Sequence, residues 1–167
     1  AGVSSGEEHL FFYSAIHGTE LCAVGEYMFS LEQLISITGT SRWGDRLETI
    51  AYNALPATFS PDMWTHQYDQ QVNQIECSRQ EHPVYTTNHG DANTFGLEPN
   101  FGCCTANLSQ PWPKLAASLF MRAQDGIAVV AYAPAELRTV VDGTPVEVRV
   151  DTGYPFREKI DIEVKTE

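Results

Sequence analysis

Two short segments, Glu20-Leu21-Cys22 and Cys103-Cys104, constrain this chain more than any other feature. Thiolates and carboxylates are both zinc ligands, and a closed tetrahedral site takes four protein donors. Glu20, Cys22, Cys103 and Cys104 supply that number. A structural zinc finger wraps its metal with paired C-x-x-C turns. Here one pair is split by a single residue and the other by none, so a larger fold has to bring distant segments together. Residue types alone leave a plainer alternative open: unrelated buried thiols and a surface glutamate.

The chain has 167 residues, 43% of them hydrophobic, which is enough for a core. A net charge of −12 argues against a nucleic-acid partner, because phosphate binding needs clustered Lys and Arg. No apolar run reaches the roughly 18 residues that a bilayer span needs, so no membrane partner is expected. Four cysteines do not make a disulfide scaffold. Cys77 reads as a structural or free thiol, and a Cys103–Cys104 disulfide would be strained. The chain starts at Ala1 rather than Met, and an N-terminal portion is expected to be missing. Localisation, cytoplasmic or secreted, stays open.

Leu21, Val24, Met28, Leu31, Leu34 and Ile35 recur at three- and four-residue steps, the face of an amphipathic helix. Thr19 is its expected N-cap and Gly39 its stop. A second helix is expected over 45–55 with Leu47, Ile50 and Ala51 inward, ended by Pro56. Residues 61–77 read as extended, with Trp64, His66 and Tyr68 on alternate positions. The Asn-, Pro-, Gly- and His-rich stretch 78–102 reads as a long loop, a kind that is usually functional. A third helix is expected over 113–122. From Gly126 the pattern becomes β: a strand over 127–132, a hairpin through Asp142-Gly143, and a strand carrying Ile160, Ile162 and Val164. The fold class is therefore α+β, helices first and strands after.

Gly18-Thr19-Glu20-Leu21-Cys22-Ala23 and Phe101-Gly102-Cys103-Cys104-Thr105-Ala106-Asn107, with Glu7-Glu8-His9-Leu10 and Trp112-Pro113-Lys114-Leu115 in support, resemble the β-L-arabinofuranosidases of glycoside hydrolase family 127. The resemblance covers essentially the whole chain. Pro111 departs from it, since the family usually has glycine before Trp-Pro-Lys. The resemblance implies part of an (α/α)6 barrel over 1–123, followed by the first strands of a β-sandwich over 124–167. It also implies that the rest of the barrel belongs to a longer protein, with the sugar-reading histidines upstream of Ala1. A fragment of that kind is expected to associate through exposed apolar faces.

The same resemblance implies a retaining hydrolase that removes terminal β-L-arabinofuranosyl units from a glycan or glycopeptide. Most retaining enzymes use two carboxylates. Here the resemblance implies that Cys103 is the nucleophile and Glu8 the general acid/base, with Glu7 as the fallback. Zn²⁺ is the implied cofactor, held by Glu20, Cys22, Cys103 and Cys104; a metal-bound thiol is deprotonated. Glu48 and Tyr68 match a sugar-contacting glutamate and a pocket tyrosine. His66, His82 and His89 leave two readings open, one of them lining the pocket or all three being structural or exposed loop histidines, and Trp112 reads as core. Two alternatives stand beside this reading: the same mechanism on another furanoside, or a non-catalytic zinc- or carbohydrate-binding module.

Overall fold

The computed structural model describes residues 2–14, 16–97 and 101–166. Short strands β1 (Ser5–Gly6), β2 (Leu10–Phe12) and β3 (Thr19–Glu20) lead into helix α1 (Leu21–Thr38). Helix α2 (Ser41–Thr49) continues through a wide π turn, Ile50–Ala54, and a 3₁₀ turn, Pro56–Thr58. Strand β4 (Asp69–Gln70) follows, then helices α3 (Gly102–Asn107) and α4 (Pro111–Ser118). The remainder is β: β5 (Phe120–Ala123), β6 (Gly126–Val129), β7 (Ala135–Val141), β8 (Thr144–Thr152) and β9 (Ile160–Thr166). Among the described residues, no helix is long and apolar enough to cross a membrane.

Helix α1 forms where its periodicity demands. Val24, Met28 and Leu31 are fully buried, with Leu34 and Ile35 packed at the edge of the same core, and Leu21 is fully buried in a second cluster. Gly39 closes the helix in the left-handed conformation (φ 63°), its N–H returning to the Ile35 carbonyl. At the other end Glu20 holds the N-cap position expected for Thr19, and no side chain caps the helix. Leu47, Ile50, Ala51, Ala54 and Leu55, with Leu115 and Leu119 of the α4 segment, pack on α1 to make the main core. Burying side chains of this size is worth about 1.5–3 kcal/mol each.

Several boundaries differ from the expected ones, and the strand expected over 127–132 ends at Val129. The second helix starts at Ser41, four residues before Asp45, and passes into the π turn before Pro56. The expected helix over 113–122 stops at Ser118, and Phe120–Ala123 pairs instead as β5 with β6, a hairpin that straddles residues 123 and 124. Of the expected extended run over 61–77, only Asp69–Gln70 forms a strand, and Trp64 is exposed while His66 and Tyr68 are buried. Pro111 occupies the first turn of α4, where its missing N–H costs nothing, and packs against Gly25 of α1. Trp112 is partly buried and stacks on Phe59 with ring centroids 5.4 Å apart.

The β region follows its alternation. β7, β8 and β9 form an antiparallel sheet in that order. Asp142 and Gly143 both have positive φ (49° and 82°), as a two-residue hairpin turn requires. Val148 and Val150 are buried, whereas their β9 partners Val164 and Ile162 remain largely exposed.

A small sheet ordered β2-β1-β3-β4 sits at the N-terminal end of α1 and positions the site. Glu20 pairs with Asp69, and the Leu21 N–H donates to the Tyr68 carbonyl. Gly18 is required by close approach: a Cβ there would collide with the carboxylate of the buried Asp69.

Candidate metal-binding active site

Glu20 ends β3 and Cys22 lies in the first turn of α1, so the strand-to-helix junction presents both. Cys103 and Cys104 lie in the first turn of α3. A second core cluster holds the two helices together: Leu21, Tyr68, Ala92 and Cys104 are buried, with Phe101 and Leu108 packed against them. The distant segments thus meet because α3 docks on the N-terminal end of α1.

The donor atoms of Glu20, Cys22, Cys103 and Cys104 all lie within 4.8 Å of one another. Cys22 Sγ is 3.3 Å from Cys104 Sγ, and Cys103 Sγ is 3.9 Å from Cys104 Sγ. Glu20 Oε1 stands 3.9 Å from Cys103 Sγ and 4.0 Å from Cys104 Sγ. A tetrahedron with metal–sulfur bonds of about 2.3 Å has edges of about 3.8 Å. The cluster is close to those dimensions, and the four residues could hold a metal ion.

The charges favour the same conclusion. Burial pushes the Glu20 carboxyl up to about 7, with the neighbouring Cys22 adding to the shift. Hydrogen bonding from Cys104 takes the Cys22 thiol down to about 5, with Asn107 helping. The Cys104 thiol moves strongly up, first because it donates to Cys22 and then because it is buried. Burial, and then the charge on Cys22, raise Cys103. The donors therefore resist becoming anions together, and a divalent cation is what offsets such a set. All four cysteines are free thiols, Cys77 exposed and away from this group.

The surroundings carry residues that the sequence patterns did not single out. Asn107 Nδ2 donates to Cys22 Sγ at 3.1 Å, and Gln110 Nε2 donates to Asn107 Oδ1 at 2.8 Å. Thr105 Oγ1 lies 3.3 Å from Nε2 of the buried His66. Tyr68 stacks on Phe101 with centroids 3.7 Å apart, and Phe101 stacks in turn on His89 at 4.7 Å. Phe101, Thr105 and Asn107 all lie inside the Phe101–Asn107 motif, which was the available signal. His82 is exposed. Asn100, the residue before that motif, lies outside the described residues.

Tyr68 is brought to the cluster. Its hydroxyl accepts from Asn88 Nδ2 at 3.0 Å, and burial followed by the charges of Glu20, Glu7 and Glu8 pushes its pKa up. Glu7 and Glu8 lie in the turn between β1 and β2. Glu7 is held by Thr86, Thr87 and Asn88, whereas Glu8 is exposed and its charge reaches Glu20 and Tyr68. Glu48 is not brought there. Its carboxylate accepts the Tyr132 N–H at 2.7 Å and the Tyr154 hydroxyl at 2.9 Å, which ties α2 to the β region.

Residues 3–117 match the catalytic domain of the glycoside hydrolase family 127 β-L-arabinofuranosidases. The chain belongs to this family. No curated protein matches it. A family 127 β-L-arabinofuranosidase from Geobacillus stearothermophilus T6 is similar in structure, with a TM-score of 0.71 and 20% identity over 90% of this chain. A second solved structure, described as a glycoside hydrolase, gives a TM-score of 0.72 and 17% identity over 88% of the chain. At such identities the likeness is one of fold, a mixed helix and sheet arrangement shared with family 127. The chain spans 23% of the length of each of those two structures.

Proposed function

We propose that this chain forms part of the active site of a retaining glycoside hydrolase that removes terminal β-L-arabinofuranosyl residues. The carrying observation is the meeting of Glu20, Cys22, Cys103 and Cys104 within 4.8 Å, inside a segment that matches the family's catalytic domain. In this reading residues 1–123 belong to an (α/α)6 barrel completed by further chain, and residues 124–167 begin a β-sandwich. Those four residues would hold Zn²⁺, and the bound ion supplies the charge that keeps the sulfurs as thiolates.

Cys103 is the nucleophile. Its side chain is exposed at the start of α3, whereas Cys104 is buried beneath it. Cys103 Sγ attacks the anomeric carbon, the new C–S bond forming as the glycosidic C–O bond breaks. Glu8 gives its proton to the departing oxygen. Glu8 then takes a proton from water, whose oxygen attacks the same carbon and releases the sulfur. Two inversions leave the configuration retained, as in the two-carboxylate enzymes. Of the adjacent acids, Glu8 suits the role because Glu7 is engaged by the 86–88 loop while Glu8 is exposed.

The test is Cys103→Ser in the enzyme containing the complete catalytic domain. Release of L-arabinose should fall at least 1,000-fold, on the order expected when a covalent nucleophile is removed. Hydrolysis that survives the change at more than a tenth of the parent rate would sink the assignment.

A further inference from the structure

Neither reacting group sits on a long rigid element. Glu8 lies in the turn between strands of two and three residues, and Cys103 opens a helix of six. Retaining hydrolysis nevertheless needs its two groups at a set separation, about 5–5.5 Å where both are carboxylates. Something other than secondary structure has to hold Glu8 in place.

Glu7 is placed to do so. Its carboxylate accepts from the hydroxyl of Thr86, from the backbone N–H and hydroxyl of Thr87, and from Asn88 Nδ2 at 3.0 Å. Burial alone would raise its pKa, but these donors outweigh it and keep Glu7 ionised. The second proton on Asn88 Nδ2 goes to the Tyr68 hydroxyl, also at 3.0 Å. Tyr68 stacks on Phe101, the residue that caps α3 two positions before Cys103. A continuous path of contacts thus runs from the acid turn to the nucleophile's helix.

We infer that Glu7, gripped by Thr86, Thr87 and Asn88, is a positioning residue that fixes the proton donor Glu8 relative to Cys103. The inference rests on the proposed glycosidase reading with Glu8 as acid/base. The two adjacent acids then have separate work: one is locked inward as an anchor, and its neighbour reacts. Misplacement of a reacting group by about 1 Å costs about 100-fold in rate.

The experiment uses the enzyme with its complete catalytic domain and two β-L-arabinofuranosides, one alkyl and one p-nitrophenyl. Glu7→Gln should lower kcat on the alkyl substrate about 100-fold. It should leave KM within a few-fold, lower p-nitrophenyl turnover much less, and leave the metal content unchanged. Asn88→Ala, which spares the threonine donors, should move both substrates in the same direction by a smaller factor. Azide separates the two acids. With Glu8→Ala, azide attacks the anomeric carbon as the C–S bond breaks, giving a glycosyl azide and restoring p-nitrophenyl turnover. Glu7→Ala should give no such rescue.

Unchanged alkyl turnover in both Glu7→Gln and Asn88→Ala overturns the inference. Equal losses on both substrates overturn it as well, since that marks a general structural role. Rescue of Glu7→Ala in place of Glu8→Ala would make Glu7 the acid/base itself. If neither variant is rescued and Glu8→Ala retains full alkyl turnover, the underlying acid/base reading fails, and the inference with it.

Discussion

Cys22 Sγ and Cys104 Sγ stand 3.3 Å apart although they are 82 positions apart along the chain. That approach depends on β4 pairing with β3, which seats Tyr68 under Leu21, and on α3 docking against the resulting apolar surface. The Glu20–Cys22 and Cys103–Cys104 segments are therefore the two halves of one packed junction, and the donor geometry follows from its core.

The first prediction concerns metal content. The chain purified without chelators should carry about one zinc ion, as a four-donor site does, and Cys22→Ala should lose it. Elemental analysis by mass spectrometry decides. A folded parent and a Cys22→Ala variant holding equal zinc would show that the cluster is not the binding site.

A second prediction concerns the hydrogen bond behind the cluster. Asn107 Nδ2 reaches Cys22 Sγ at 3.1 Å, and Gln110 fixes which face of the amide points at the sulfur. An N–H donor to a metal-bound sulfur spreads its charge and orients it, and losing such a partner typically costs 10–100-fold in affinity. Asn107→Ala should weaken zinc binding by about that factor in a competition titration with a chromophoric chelator. Cobalt substitution adds a second readout, a shifted sulfur-to-cobalt charge-transfer band. An unaltered affinity and an unaltered band would remove Asn107 from the site.

The third prediction concerns the hydrogen bonds that tie Glu48 to the β region. Its two oxygens are taken by the Tyr132 N–H and the Tyr154 hydroxyl, and Tyr154 also meets Tyr52 and Tyr132 edge-on, at 5.7 and 5.9 Å. Tyr154→Phe and Glu48→Gln should each destabilise the chain by about 1 kcal/mol, the ordinary net worth of a hydrogen bond. The double variant should cost less than the sum, because both remove the same contact. Chemical denaturation measures this. Strict additivity would mean that the Glu48–Tyr154 bond does not form in solution.

The parts of this fold that were legible in the sequence are those whose signals are local. Helix α1 declared itself because its apolar residues keep the helical period and Gly39 supplies the stop. The Asp142-Gly143 turn did so because few dipeptides accept two positive φ angles. Helix α3 was missed because six residues are too short to show a period. Phe120–Ala123 read as helix because an apolar run of that length suits either state, and its pairing with β6 is a tertiary fact. Glu48 shows how little of a side chain's surroundings sequence spacing carries. Its position relative to Glu20 matched a family pattern, but its partners lie 84 and 106 residues further along, where no spacing rule reaches.

The last prediction follows from Glu32, well away from the cysteines on the inner face of α1. The residue is buried; Oε2 accepts from Ser118 at 3.0 Å, while Oε1 has no partner among the described residues. Burial raises its pKa, only partly opposed by Ser118 and by the charge of Lys114. The folded chain therefore holds the proton more tightly than the unfolded one. Its contribution to stability is complete below the ordinary carboxylate range and is lost as pH climbs through the raised value. Glu32→Gln cannot ionise and escapes that loss. The melting temperature of the variant minus that of the parent should thus rise between pH 4 and pH 8. A difference that stays flat across that range would show that Glu32 titrates at its ordinary value, and so that its carboxyl is hydrated in the folded chain.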